Sequence, residues 1–335
     1  MVAAHGPWET SLSETPDTPT LHPAHPRNWG QMITLGALWL LARLPWRAAL
    51  AVGRGGGHIA YRLLPERRRI ARRNLQLCFP ELSGAEREAM VKRNFAYVGQ
   101  GIAEAALAWY GGPAVDRIPC TVSGLEHLKA EQDKGRSVIL LSGHFVSIEL
   151  TGRLVHPHLE MAVIYKPLVK QPLLDRAMRE ARLRRGHPAV IAKDDIRGIV
   201  RALRKGIPAW YAGDQNYRTT HKVFAPFFGI PTATVTALSR LSRMGKASVV
   251  PLFFNARPDG SGYEIRLQPA LENFPGDDPV ADAMRMNAVL EEAVRRNPDQ
   301  YLWIHRRFKD HPDDIDMYPK VPDHREVRRE KKRKK

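Results

Sequence analysis

The amino-acid sequence predicts an α/β fold, a largely parallel central sheet flanked by helices, with an N-terminal membrane-associated helix. Three observations lead there. From residue 137 onward, short apolar runs alternate with amphipathic segments, the pattern of parallel strands joined by crossover helices. Ahead of them a Ser83-x-x-Glu86 capping box follows Leu82 and opens a segment with Val91, Phe95, Val98, Ile102 and Trp109 at spacings of three, four and seven, an amphipathic helix. Near the start lies an uncharged apolar run, residues 32–42 (MITLGALWLLA).

Taken in order, residues 1–27 are polar and rich in Pro, Thr and Ser, so they are expected to form a disordered extension. Residues 28–62 form the hydrophobic, membrane-anchoring segment. Its first apolar run of eleven residues ends at Arg43, and a second covers 48–52. Crossing a hydrocarbon core takes roughly 20 residues, so an interfacial helix with Trp39 and Trp46 at headgroup depth fits better. A buried core helix is the competing reading. Residues 63–318 show no linker and no internal repeat, and are read as the main domain. Strands are expected at 137–142, 161–165, 189–192, 208–212, 248–254 and 263–267. Helices are expected near 172–186, 194–205, 234–244 and 282–297. Residues 319–335 form a basic tail.

The net charge of +17 favours an anionic partner: nucleic acid, an acidic membrane surface or a phosphorylated substrate. Part of the excess sits in the tail, where Arg325, Arg328, Arg329 and the lysines up to Lys335 read equally as a solvated end or a lipid contact. The two cysteines, Cys78 and Cys120, make neither a disulfide framework nor a zinc site, which suits a reducing compartment.

Ligands of such folds sit beyond the carboxyl ends of the strands. Three polar clusters occupy that position: Gly143-His144, Lys166, and Gly213-Asp214-Gln215. Together they suggest one site. His144 and Glu149 form a His-x4-Glu pattern at a strand-to-helix junction. Histidine titrates near neutrality and can take a proton from a hydroxyl, while a carboxylate on its other nitrogen would fix the tautomer. Residues five apart in a regular helix differ by about 140° around the axis. The pair can therefore meet only if His144 lies in the turn and Glu149 projects back from the helix. As a bare pattern this arises often by chance, and a structural role for His144 competes with a catalytic one. The chain carries no Gly-x-Ser-x-Gly elbow, no P-loop and no His-rich metal spacing. A His–carboxylate pair without a candidate nucleophile points to direct transfer onto a bound hydroxyl.

The His144–Glu149 block resembles the His-x4-acid signature of the glycerolipid acyltransferase superfamily. More of the chain is similar to the lipid A secondary acyltransferases, particularly the lauroyl type. The matching stretches are ARRNLQLCFP (71–80), GHFVSIEL (143–150), Tyr165-Lys166-Pro167 with Pro172-Leu173-Leu174-Asp175, Asp195-Ile196-Arg197-Gly198, WYAGDQN (210–216) and YLWIHRRFK (301–309). The resemblance makes residues 63–318 an acyltransferase domain. It implies transfer of a fatty acyl group, lauroyl or similar, from an acyl carrier protein thioester. The acceptor would be the free hydroxyl of a 3-hydroxyacyl chain on a Kdo-bearing lipid A precursor, at the cytoplasmic face of a bacterial inner membrane. It implies no cofactor, no metal and no nucleic acid. By similarity His144 is the general base and Glu149 its partner.

Substrate binding would fall to Lys166, Arg182, Arg184, Asp195, Arg197, Asp214, Gln215, His305 and Arg306, with Arg182, Arg184 and Arg197 on the acceptor phosphates. Where the family usually has Tyr-Arg-Pro this chain has Lys166, which keeps the charge but loses the bidentate fork. Relatives often show Asp-Gln-Asp or Asp-His-Asp where this chain has Asp214-Gln215-Asn216, which makes Asp214 the better candidate of the three. The bland readings are a solvated helix face for the arginines and a strand end packed on the core for 305–307, with Trp303 and Phe308 as core contacts. Two other functions compete: a basic nucleic-acid-binding protein, and an acyltransferase making other glycerolipids or phosphatidylinositol mannosides.

Overall fold

A computed structural model describes residues 25–184, 187–216 and 219–319. Among these residues, four α-helices precede the sheet: α1 (Trp29–Leu41), α2 (Trp46–Leu63), α3 (Pro65–Cys78) and α4 (Gly84–Tyr110). Pro45 and Pro65 stand at the breaks, because proline suits a first helical turn and not an interior. The Ser83 hydroxyl accepts from the Glu86 N–H at 3.2 Å, and the Glu86 carboxylate accepts from the Ser83 N–H at 2.7 Å. This is the reciprocal cap that the sequence signals.

The glycine run 53–57 lies inside α2. Each glycine costs a helix about 1 kcal/mol relative to alanine; at Gly53 and Gly57 the return is contact between backbones, while Gly55 and Gly56 face open space. A Cβ on Gly57 would lie 2.1 Å from the Phe95 carbonyl oxygen, and one on Gly99 would lie 2.1 Å from that of Gly53. Helix α2 is thus seated on α4 rather than hung beside the domain. Removing residues 1–55 would tear this packing open.

The described strands are β1 (Cys120–Ser123), β2 (Ser137–Ser142), β3 (Ala162–Tyr165), β4 (Ala189–Ala192), β5 (Ala209–Ala212), β6 (Lys222–Phe227), β7 (Ile230–Val235), β8 (Ala247–Ala256) and β9 (Tyr263–Leu267). The intervening helices are α5 (Leu125–Asp133), α6 (Ile148–Val155), α7 (Pro172–Arg184), α8 (Ile196–Arg204), α9 (Ala237–Gly245) and α10 (Pro279–Arg296). Seven strands make one sheet in the order β1-β9-β8-β2-β5-β3-β4, with β6 and β7 as a separate hairpin. Every pairing in the large sheet is parallel except β8 with β9.

The two faces of the sheet are covered differently. Trp210, Leu252 and Val163 point to the face that α6 covers. Arg153 of α6 reaches on to the α4 carbonyl of Leu107 and to that of Gly111, both at 2.9 Å. Side chains alternate along a strand, so Ser137, which is offset by an odd number from Leu140 opposite Trp210, points the other way. Its hydroxyl donates to the Leu203 carbonyl of α8 at 2.7 Å. Helices α8, α9 and α10 therefore cover the face opposite α1, α2 and α4.

The six expected strands all form, three with the expected bounds and three with ends shifted by a residue or two. Strand β1 and the β6–β7 hairpin are additional, and the helix expected from 234 starts later because 234–235 close β7. Residues 301–309 are not a strand end. They form turns with one bridge, Phe145 to Tyr301, although Trp303 and Phe308 are buried as expected. Among the described residues no helix is long and apolar enough to cross a membrane. Helices α1 and α2 nevertheless expose apolar side chains: Ile33 is 72% exposed, Leu40 63% and Leu63 71%. Residues 1–24 of the expected extension and 320–335 of the basic tail lie outside the described residues.

Candidate active site

Strands β2 and β5 are parallel neighbours, and Ser142 stands opposite Ala212. Both chains then leave the sheet, and two residues further on come His144 and Asp214. The equal offset brings them together. His144 Nδ1 lies 2.5 Å from Asp214 Oδ1, and the His144 backbone N–H donates to Asp214 Oδ2 at 2.9 Å. The Tyr301 hydroxyl lines the same cavity and helps to hold this carboxylate ionised. Burial alone would raise the Asp214 pKa, but the His144 ring and these hydrogen bonds hold the carboxyl well below its usual range. Burial and the neighbouring Asp214 charge push the Tyr301 hydroxyl well up, so it remains a donor.

An ionised Asp214 fixes the proton on His144 Nδ1 and leaves Nε2 as the nitrogen able to accept one. The His144 side chain keeps 24% of its surface exposed, against 1% for Asp214. The acid is walled in, and the base faces the outside. Gln215, Tyr301 and His305 line the same small cavity. His305 Nε2 accepts from the Asn216 N–H at 3.4 Å, and burial lowers its pKa to about 4, so it stands neutral beside the pair.

The pairing of Glu149 with the His144 ring is not what the structure has. Glu149 lies in the first turn of α6 and turns inward, away from the imidazole. It accepts from Trp109 Nε1 at 2.9 Å and pairs with Arg182 Nη2 at 2.5 Å. The side chains of Arg182 and Glu149 are only 14% and 13% exposed. Burial would raise the Glu149 pKa, but the Arg182 charge and the hydrogen bonds from Arg182 and Trp109 lower it. His144 does lie in the turn ahead of α6, but Trp109 and Arg182 draw the Glu149 carboxylate to themselves, and Asp214 takes the place expected of Glu149. Arg182 is likewise committed to this buried pair rather than open to a phosphate.

The other expected residues scatter. Arg184, two positions on from Arg182, is exposed on α7, and Arg197 is exposed on α8. Lys166 is exposed just after β3. Asp195 caps α8, accepting from the Gly198 N–H at 2.9 Å. A Cβ on Gly198 would strike that carboxylate at 2.2 Å, which gives the Asp-Ile-Arg-Gly motif a structural reason. Arg306 pairs with Glu66 of α3 and stacks over Tyr318. Arg307, by contrast, is buried and donates to the Ala233 carbonyl at 2.7 Å.

Two residues without an expected role shape the site. Tyr301 favours the ionised Asp214, and Asn74 ties down the 301–309 turns by donating to the carbonyls of Trp303 at 2.6 Å and His305 at 2.8 Å. Both stand in the matching stretches, as polar residues inside apolar surroundings. A narrow apolar cavity runs between α6 and the sheet, walled by Ile148, Val155, Val163, Trp210, Leu252 and Phe254. Its polar end is the Glu149–Arg182 pair with His187, whose pKa falls to about 4 through burial and the Arg182 charge.

Comparison with known proteins identifies the family. Residues 20–310 match the family described as bacterial lipid A biosynthesis acyltransferase. The chain is 36% identical over 292 residues to the lipid A biosynthesis lauroyltransferase of Escherichia coli (strain K12), covering 87% of this chain and 95% of that protein. It is 38% identical over 289 residues to the palmitoleoyltransferase of the same strain, covering 86% and 94%. To the myristoyltransferase it is 31% identical over 297 residues, covering 88% and 91%. The matched region contains His144, Asp214, Glu149 and the 301–309 turns. The chain belongs to the bacterial lipid A biosynthesis acyltransferases and is an acyltransferase enzyme.

Proposed function

We propose that the protein transfers a fatty acyl group from an acyl carrier protein thioester to the free hydroxyl of a 3-hydroxyacyl chain on a Kdo-bearing lipid A precursor. The observation that carries this reading is the His144–Asp214 pair, with its ionised acid walled in and its base facing outward. The acceptor hydroxyl gives its proton to His144 Nε2 as its oxygen adds to the thioester carbonyl carbon. That addition forms the ester C–O bond; collapse of the tetrahedral intermediate restores the carbonyl, breaks the C–S bond, and returns the proton from the imidazolium to the leaving thiolate. Asp214 stabilises the imidazolium in between. Glu149 and Arg182 act as positioning residues that fix the first turn of α6 and hence the His144 turn.

The apolar cavity under α6 would hold the acyl chain. Chain length is open, because relatives named for lauroyl, palmitoleoyl and myristoyl transfer are similarly close, at 36%, 38% and 31% identity. The exposed apolar surface of α1 and α2 suits an interfacial seat on the cytoplasmic face of an inner membrane. There Arg43 stacks over Trp39 at 4.3 Å, a pairing suited to headgroup depth.

The test is incubation of the purified protein in vesicles with Kdo-bearing precursor and a ladder of acyl carrier protein thioesters, read by mass spectrometry. One acyl chain should be added to the precursor, with a preferred length. Acylation of a lysophospholipid in place of the precursor, or transfer from coenzyme A thioesters alone, would sink this reading.

A further inference from the structure

We propose that the exposed face of α8 and α9 is the docking surface for an acidic, helical protein partner, the carrier that presents the donor acyl group. This rests on the donor assignment above and adds where that donor binds.

The charge is one-sided. Helices α8 and α9 with their C-terminal caps carry Arg197, Arg201, Arg204, Lys205, Arg240, Arg243 and Lys246, all exposed. Neither 196–206 nor 236–246 contains an Asp or Glu. Between the cations lies a groove with an apolar floor made by Ile196, Val200 and Met244. An apolar centre ringed by positive charge complements the acidic face of an amphipathic helix, and such complementarity sets encounter rate and register.

Position gives a second reason. Asp195 caps α8 immediately after β4, so the Arg197 end of the groove opens at the same strand-end edge as His144. A carrier seated there would have the reacting edge within reach of its thioester arm. Position also decides between a protein and a membrane. The apolar α1–α2 surface and the α8–α9 face lie on opposite sides of the sheet, as the opposite directions of Trp210 and Ser137 show. With α1 and α2 on a bilayer, α8 and α9 face water.

The variant Arg204→Glu/Arg240→Glu tests this, with Arg204→Gln/Arg240→Gln as a milder companion. Each is assayed with an acyl carrier protein thioester and with the same acyl group on pantetheine, which lacks the protein. The carrier donor's KM should rise about tenfold in the glutamate variant and less in the glutamine one, with kcat unchanged. Transfer from the pantetheine thioester should match wild type, and added salt should raise the wild-type KM toward that of the variant. An unchanged KM for a carrier donor that the wild type uses would overturn the docking surface. So would equal loss with both donors, or lost binding to anionic phosphatidylglycerol vesicles with carrier KM intact, which would mark the face as a membrane contact. A wild type that uses pantetheine thioester but no carrier thioester would instead overturn the donor assignment.

Discussion

Replacing Asp214 by Asn removes a charge while keeping the shape, and the two hydrogen bonds that this carboxylate accepts from His144 decide the outcome. Oδ2 of Asp214 accepts the His144 backbone N–H, while Oδ1 faces His144 Nδ1. An amide has one oxygen for these two places. If the oxygen stays on the backbone N–H, the NH2 donates to Nδ1 and drives the imidazole proton to Nε2, where a base must be bare. If the oxygen turns to the ring, the NH2 meets the backbone N–H, donor against donor. Both arrangements disable the base, so kcat should fall about 10²–10⁴-fold. The assay is single-turnover transfer to the lipid A precursor, with circular dichroism melts to verify folding.

Glu149→Gln should behave differently. It leaves Arg182 inside the protein without its counter-charge, which costs about 3 kcal/mol of stability. At low temperature, where the variant is folded, its kcat should fall much less than that of Asp214→Asn. A folded Asp214→Asn with near-normal turnover, beside a Glu149→Gln that is catalytically dead, would refute the assignment of Asp214 as the partner of His144.

The packing and the buried charges carry further consequences. Gly99→Ala places a Cβ 2.1 Å from the Gly53 oxygen, and should destabilise the fold by about 1–3 kcal/mol in denaturant titrations. Ile33→Glu/Leu40→Glu should leave the thermal midpoint nearly unchanged yet weaken sedimentation with vesicles, since both side chains are exposed; persistent binding would place the membrane contact elsewhere. Buried Glu104 accepts from Gln100 at 2.5 Å and from Tyr263 at 2.7 Å, and burial raises its pKa. The folded protein thus holds this proton more tightly than the unfolded chain. Its contribution to stability is complete below the unfolded value of about 4.3 and is lost as pH rises through the higher folded one. Glu104→Gln should remove that loss and raise the melting temperature at neutral pH, and no gain there would contradict a costly buried charge.

Most of the six expected strands were readable because a buried parallel strand needs little beyond continuous hydrophobicity; β9, with Glu264 and Arg266 between its buried residues, was readable by alternation instead. Strand β1 alternates half-buried and exposed residues over a short length. The β6–β7 hairpin carries Pro226 and Pro231, which argue against strands until the hairpin is seen to stand apart from the large sheet. At the site, the clustering of His144 and Asp214 at one sheet edge was legible, but their pairing was not. It depends on β5 lying beside β2 in a register that matches Ser142 with Ala212, and strand order is a property of the whole fold. Glu149 stood closer in sequence and satisfied a familiar spacing. Trp109 and Arg182 reach it from α4 and α7, elements far away along the chain.

The central claim, that His144 is the base and Asp214 acts through it, is tested most directly by a double-mutant cycle. Single-turnover rates of wild type, His144→Ala, Asp214→Asn and the double variant are compared at saturating donor and acceptor. If Asp214 works only through His144, the double variant should be no slower than His144→Ala, because the acid has nothing left to stabilise. A double variant slowed by the product of the two single factors would show Asp214 acting independently, and His144→Ala at near-normal rate would remove the base altogether.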